Sequence, residues 1–156
     1  MRARESFEWL DIELAGQDMA YQGLTNTFNL FYEKPMDYSI GLAGGSIFSG
    51  LSTSETPLPG FSDEIRTTFI GLEAKYFPTR ALRGLFVRPG FYWKTLDSNG
   101  AVGKIDGFMG GAGLGYEIPV WEQIHLVPEL GTQFGDLGAY PVNIKSISLA
   151  LHFYSI

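Results

Sequence analysis

The stretch GFMGGAGLGYEIPVW, residues 107–121, places five glycines in its first nine positions. Such a run has two common uses. One is a loop whose backbone amides cradle phosphate; the other is a strand crowded on one face. The phosphate-binding patterns are GxxxxGK[ST] and a GxGxxG that opens a helix, and neither stands here. Instead Gly107, Met109, Gly111, Gly113, Gly115 and Glu117 fall on alternate positions, opposite Phe108, Ala112, Leu114 and Tyr116. A period of two belongs to a β-strand. Glycine on one face of a strand leaves space for bulky neighbours and lets the strand bend. The expectation is a strand whose glycine face turns into a crowded interior.

The same alternation runs outward through the chain. Toward the N-terminus, Leu85, Val87, Pro89, Phe91 and Trp93 oppose Phe86, Arg88, Gly90, Tyr92 and Lys94. Before them, Ile70, Leu72, Ala74 and Tyr76 oppose Gly71, Glu73 and Lys75. Tyr38, Ile40 and Leu42 alternate with Ser39, Gly41 and Ala43, and Leu24, Phe28, Leu30 and Tyr32 with Thr25, Thr27, Asn29 and Phe31. The first segment sets Leu10, Ile12 and Leu14 against Asp11 and Glu13. Toward the C-terminus, Ile124, Leu126, Pro128, Leu130 and Phe134 oppose His125, Val127, Glu129, Gly131 and Gln133. Last, Ile147, Leu149, Leu151 and Phe153 oppose Ser146, Ser148, Ala150, His152 and Tyr154. These patterns predict eight strands, with no room for a sizeable helix.

Connections after the second, fourth and sixth strands read as short: EKPM, PTRALR and PVWEQ. The others read as longer and more polar, at Gly16–Gln22, Ser49–Asp63, Leu96–Ala101 and Gly135–Asn143. The whole chain, 1–156, reads as one domain. Charged residues make up only 18%, aromatics 15%, and the net charge is −6. That balance argues against nucleic acid as a partner, since its backbone calls for clustered Lys and Arg. Cysteine is absent, so no disulfide or thiolate metal site exists. No apolar run approaches the roughly 20 residues that a membrane helix needs.

Alternation alone does not say which face meets solvent. A soluble barrel of the lipocalin type turns its apolar face inward, and a membrane barrel turns it outward. Three features favour outward. Charges are kept off the central apolar faces, with Glu8, Arg66 and Lys104 near strand ends. The other faces hold Asp11, Glu13, Glu73, Lys75, Arg88, Lys94, Glu117 and Glu129, of both signs and able to pair in a lumen. Tyr32, Tyr38, Tyr76, Tyr116, Trp121 and Phe153 all lie near the short turns or the C-terminus, as an aromatic girdle at one membrane interface would. Third, short turns at one end and longer loops at the other match the two sides of an outer-membrane barrel.

The runs FIGLEAKYFPTRALRGLFVRPGFYW and GGAGLGYEIPVWEQIHLVPELGTQFG resemble the small outer-membrane β-barrel family of Gram-negative bacteria. The resemblance covers essentially the whole chain. It implies an all-β, eight-stranded antiparallel up-and-down transmembrane β-barrel in the bacterial outer membrane, after removal of a signal peptide. It implies outer-membrane lipid and lipopolysaccharide as surroundings, and assembly by the outer-membrane insertion machinery, which reads the last strand. That strand usually ends in an aromatic residue; here Phe153 and Tyr154 are followed by Ser155 and Ile156.

Some barrels of this size modify lipid A with His, Ser and an acid near the outer leaflet. Here His125 and His152 both fall at the short-turn end, the wrong side for that substrate. Ser148 lies on the face of His152, yet no motif joins them. Glu73, Glu117 and Glu129 could work as an acid–base pair or bind a cation. Pairing with Lys75, Arg88 and Lys94 accounts for them without a reaction. No cofactor is expected, and eight strands leave an interior just wide enough for side chains to fill. The expected role is structural, adhesive or docking within an envelope protein complex. The alternatives are a lipid A-modifying enzyme and a soluble lipocalin-like binding barrel.

Overall fold

The computed structural model describes residues 2–14, 16–34, 38–52, 64–78, 84–98, 100–101 and 103–154, and excludes the side chains of residues 2, 14, 29–34, 38–52 and 154. The described residues form β1 (Arg2–Leu14), β2 (Gln17–Lys34), β3 (Tyr38–Ser52), β4 (Glu64–Tyr76), β5 (Gly84–Ser98), β6 (Lys104–Trp121), β7 (Ile124–Leu137) and β8 (Tyr140–Tyr154). Each strand pairs antiparallel with the next, and β1 pairs with β8 so that the sheet closes on itself. Closure leaves no strand edge exposed. The glycine run is β6, as its alternation requires.

Two of the expected loops are not loops. β1 ends at Leu14 and β2 begins at Gln17; β7 ends at Leu137 and β8 begins at Tyr140. Gly16–Gln22 and Gly135–Asn143 therefore lie almost wholly within strands. Each connection is a tight hairpin with one glycine at positive φ, Gly16 at 79° and Gly138 at 62°, a conformation that favours glycine in short hairpins. The length contrast between the two ends of the barrel is correspondingly weaker than expected. It rests on the 53–63 connection, which lies outside the described residues.

The face assignment also needs a correction, with one physical cause. In β1 the inward residues are Arg4, Ser6, Glu8, Leu10 and Ile12, while Glu5, Phe7, Trp9, Asp11 and Glu13 point outward. Asp11 and Glu13 are thus exposed rather than in the lumen. Glu8 is inward, and Leu10 and Ile12 are core residues. The strand is continuous, but its two faces exchange chemistry between Glu8 and Asp11. The same exchange recurs around the barrel. Outward residues pass from Trp93 to Asp97 on β5, from Phe108 to Asp106 on β6, from Phe134 to Asp136 on β7, and from Ile147 to Lys145 on β8. At that level the inward residues turn apolar. Leu10, Ile12, Met19, Tyr21, Ile65, Leu96, Met109, Leu137, Val142 and Ile144 form one buried cluster across the lumen.

The barrel therefore has two storeys. The end with tight hairpins is polar outside and apolar inside, as in a water-soluble barrel. The remainder is apolar outside and polar inside. There, Leu24, Phe28, Ile70, Leu72, Leu85, Phe91, Leu114, Leu130, Ile147 and Leu149 stand exposed on the wall.

The lumen as a candidate functional site

Glycine on β6 and β5 shapes the lumen. A Cβ on Gly115 would run into the ring of Phe86, one on Gly113 into the carboxylate of Glu129, and one on Gly90 into the ring of Tyr92. The run quoted at the outset is thus the bed on which the side chains of β5 and β7 lie. Those side chains form two polar groups at different depths.

The upper group centres on Arg88. Its Nη1 donates to Glu73 and its Nη2 to Glu129, with Nε donating to the same Glu129 oxygen at 2.9 Å. Both carboxylates are buried, at 2% and 4% exposure. The Tyr92 hydroxyl donates to Glu73 at 2.7 Å. From the opposite wall, Arg4 donates to the Ser148 hydroxyl at 3.0 Å and lies 3.5 Å from Glu8 and 3.8 Å from Glu129. Lys94 donates to the Gln133 carbonyl oxygen. A planar guanidinium with five donors suits such bridging between carboxylates.

The lower group centres on Glu117. Lys75 pairs with its Oε1, and the Nδ1 atoms of His152 and His125 lie 3.2 Å from Oε1 and 2.9 Å from Oε2. The Lys75 ammonium sits 3.7 Å from the centre of the Phe86 ring, within cation–π range. Beside it Phe77, Phe86, Val127 and Ala150 form a second apolar layer.

All six residues expected in the ion-pair network face the lumen: Glu73, Lys75, Arg88, Lys94, Glu117 and Glu129. They divide into the two groups, and Lys94 joins an amide rather than a carboxylate. Arg88 does not lie directly across from Glu73. Glu73 pairs with Gly90, and the long Arg88 side chain spans the diagonal. Arg4 and Glu8 join the network from β1; Glu8, expected on the apolar face near a strand end, lies inward beside Arg4. With Asp11 and Glu13 outside, the described lumen balances Arg4, Lys75, Arg88 and Lys94 against Glu8, Glu73, Glu117 and Glu129, where a majority of carboxylates was expected. Of the expected aromatic girdle, Tyr76, Tyr116 and Trp121 are exposed on the wall and Phe153 is half-buried. The side chains of Tyr32 and Tyr38 lie outside the described residues; their backbones place Tyr38 beside Tyr76.

The upper group leaves a cavity of about 40 Å³, enough for roughly three waters and too small for a metabolite. Among the described residues, no cluster of His, Asp or Glu is arranged to hold a metal ion. The Ser148 hydroxyl accepts from Arg4, while His152 Nδ1 is turned to Glu117. What this arrangement does chemically is neutralise buried charge and cross-link opposite walls.

The architecture has close counterparts among solved structures. Neisserial surface protein A aligns with a TM-score of 0.67 at 13% identity, over 97% of this chain and 95% of its own. The N-terminal barrel domain of Pseudomonas aeruginosa OprF aligns with a TM-score of 0.52 at 14% identity, over 96% and 97%. The attachment invasion locus protein Ail of Yersinia pestis, solved with the heparin analogue sucrose octasulfate, gives 0.51 at 10%, over 97% of each chain. This chain has the fold of the small outer-membrane β-barrels. No family model and no curated protein sequence matches it. At these identities the shared feature is the barrel itself.

Proposed function

We propose that the chain is an integral outer-membrane β-barrel, closed to solutes and without catalytic activity, that acts through its outer wall and its solvent-facing rim. One observation carries this reading: the belt of large apolar side chains exposed on the wall. A water-soluble monomer rarely shows contiguous apolar patches beyond a few hundred Å², whereas lipid would cover such a belt at no cost. On β5 the outward apolar face runs from Leu85 to Trp93. At about 3.3 Å per residue and a tilt near 40°, that is roughly 20–25 Å of height, matching the band of about 25 Å in barrels that span an outer membrane.

The polar lumen supports a structural rather than a conducting role. The apolar cluster of the upper storey and the layer around Phe86 stand on either side of the Arg88 group. The same two layers disfavour a soluble lipocalin-like binder, whose ligand cavity would occupy that space. A lipid A-modifying enzyme is disfavoured by the partners of Ser148 and His152. The surroundings proposed are outer-membrane lipid and lipopolysaccharide, reached through the insertion machinery, with an envelope protein complex as the candidate partner of the rim.

The rim narrows what that partner can be. Among the described residues its exposed charges are Asp11, Glu13, Asp18, Glu64, Asp97, Asp106 and Asp136 against Arg66, Lys104 and Lys145. Ail was solved with a polyanion, but an acidic rim repels one. The rim suits a basic or neutral protein surface.

The experiment is migration on a gel with and without boiling. A closed barrel with no open strand edge resists detergent until heated, so the unboiled sample is expected to run at a different apparent mass. Identical migration of the two samples, from protein recovered in the membrane fraction, would sink the reading.

A further inference from the structure

Among the described residues, the outer wall carries one acid inside the apolar belt. Glu5 on β1 is exposed and points outward, below Phe7 and Trp9. Its register partners across the strands are Asn26 on β2 and Leu151 on β8. Its same-face surroundings are Ala3, Phe7, Leu24, Phe28, Leu149 and Phe153, and none is cationic. Glu5 makes no ion pair among the described residues. A carboxylate facing lipid without a partner is costly, and such residues mark function by default.

Glu5 also stands at a groove. Phe7, Leu24, Leu126, Leu149 and Leu151 line, with Glu5, an open depression of about 330 Å³ on the wall. Its floor is the strand backbone at Ser6 and Ala150, which pair across β1 and β8 and turn their own side chains into the lumen. The Phe7 ring packs edge-on against Trp9, 4.6 Å between centroids, and this contact holds it along the upper margin. The depression therefore offers a hydrocarbon surface with a single anionic group, two residues along β1 from Ala3, the partner of the girdle residue Phe153.

We propose that this groove seats one phospholipid whose headgroup ends in a primary ammonium, with the acyl chain along Leu126, Leu149 and Leu151 and the ammonium on Glu5. The inference rests on the membrane reading above. Charge complementarity selects the headgroup. An anionic headgroup is repelled by Glu5, and a quaternary ammonium offers no N–H to donate, whereas a primary ammonium carries three donors. Asn26, directly across from Glu5 and exposed, supplies an amide to the neighbouring phosphate.

The test uses the full chain inserted into phosphatidylcholine vesicles containing equal small fractions of phosphatidylethanolamine and phosphatidylglycerol. Insertion is read first by heat-modifiable migration. The protein is then extracted in mild detergent, and retained lipids are counted by native mass spectrometry. Wild type is expected to retain phosphatidylethanolamine over both other lipids by about fivefold, the scale of one charge acting at a membrane surface. Glu5→Gln should bring the ratio near one. Leu151→Trp, which fills the groove and leaves the acid in place, should lower retention of every lipid at this seat. A wild-type ratio near one, or a preference unchanged in Glu5→Gln, overturns the proposal while the inserted barrel stands. A chain that stays out of the vesicles overturns the membrane reading and this inference together.

Discussion

Arg88→Ala is expected to destabilise the barrel by about 3–5 kcal/mol, the usual cost of removing one partner from a buried ion pair. Arg88 is the common donor to Glu73 and Glu129. Its loss strands two buried carboxylates at once. Glu73 keeps the Tyr92 hydroxyl, and Glu129 keeps Arg4 at 3.8 Å; neither replaces a short charged contact. The measurement is thermal or urea unfolding in detergent micelles, followed by loss of heat-modifiable migration. Lys94→Ala is the comparison. Its partner is the neutral Gln133, so no carboxylate is orphaned and the effect should be clearly smaller. In the Arg88→Ala background, Glu129→Gln should recover part of the loss, because it removes one of the two stranded charges. If Arg88→Ala unfolds like wild type, the lumen network does not hold the walls together.

The size of that effect depends on a cross-strand register that is not legible in a single strand. Inward placement of Glu73, Arg88, Glu117 and Glu129 follows from period-two alternation and from the rule that charges avoid the lipid face. Both are local properties, legible in a single strand. Cross-strand alignment depends on where the turn is centred, and PTRALR does not reveal this. A two-residue shift keeps the same face, so Arg88 still reaches Glu73 across the offset from Gly90. The lower group illustrates a different limit. Glu117, His125 and His152 sit on three different strands, and their convergence with Lys75 is a product of closure. No spacing in the sequence encodes it.

The misread first strand has a more instructive origin. Apolar out and polar in is not one meaning that alternation keeps along a whole strand of this barrel. In FEWLDIE the parity never breaks, but the environment on each face does. Phe7 and Trp9 face out where lipid is expected; Asp11 and Glu13 face out where water is expected. Gly16–Gln22, expected as a loop, lies in β2 from Gln17 onward and shows the same exchange. Its inward residues, Met19 and Tyr21, are apolar, and Asp18, Ala20 and Gln22 alternate with them outward, the reverse of the arrangement farther along β2. The available signal was a continuous period of two across a change in polarity, present also at Phe134–Asp136 and Lys145–Ile147.

That exchange defines the last expected result. Leu149→Arg should cost about 2–4 kcal/mol, the depth-dependent cost of a cation on the lipid face near the bilayer midplane. Leu149 is exposed on the wall, midway along β8 between Phe153 of the girdle and Lys145 of the rim. An arginine there has the longest path to water in either direction. Leu126→Arg, close to the Trp121–Ile124 end of β7, can snorkel toward the interface and should cost less. Thr132→Arg should cost least: Thr132 is exposed and pairs with Lys145, itself already a cation on the outward face. Unfolding in vesicles should rank the three in that order. The ranking separates two environments that a uniform apolar wall would not distinguish. Equal and small effects at all three positions would mean that the exposed belt meets water or a protein partner rather than lipid. A large cost at Thr132 would move the boundary of the bilayer above the level at which the faces exchange, and would place the acidic rim in contact with lipid headgroups.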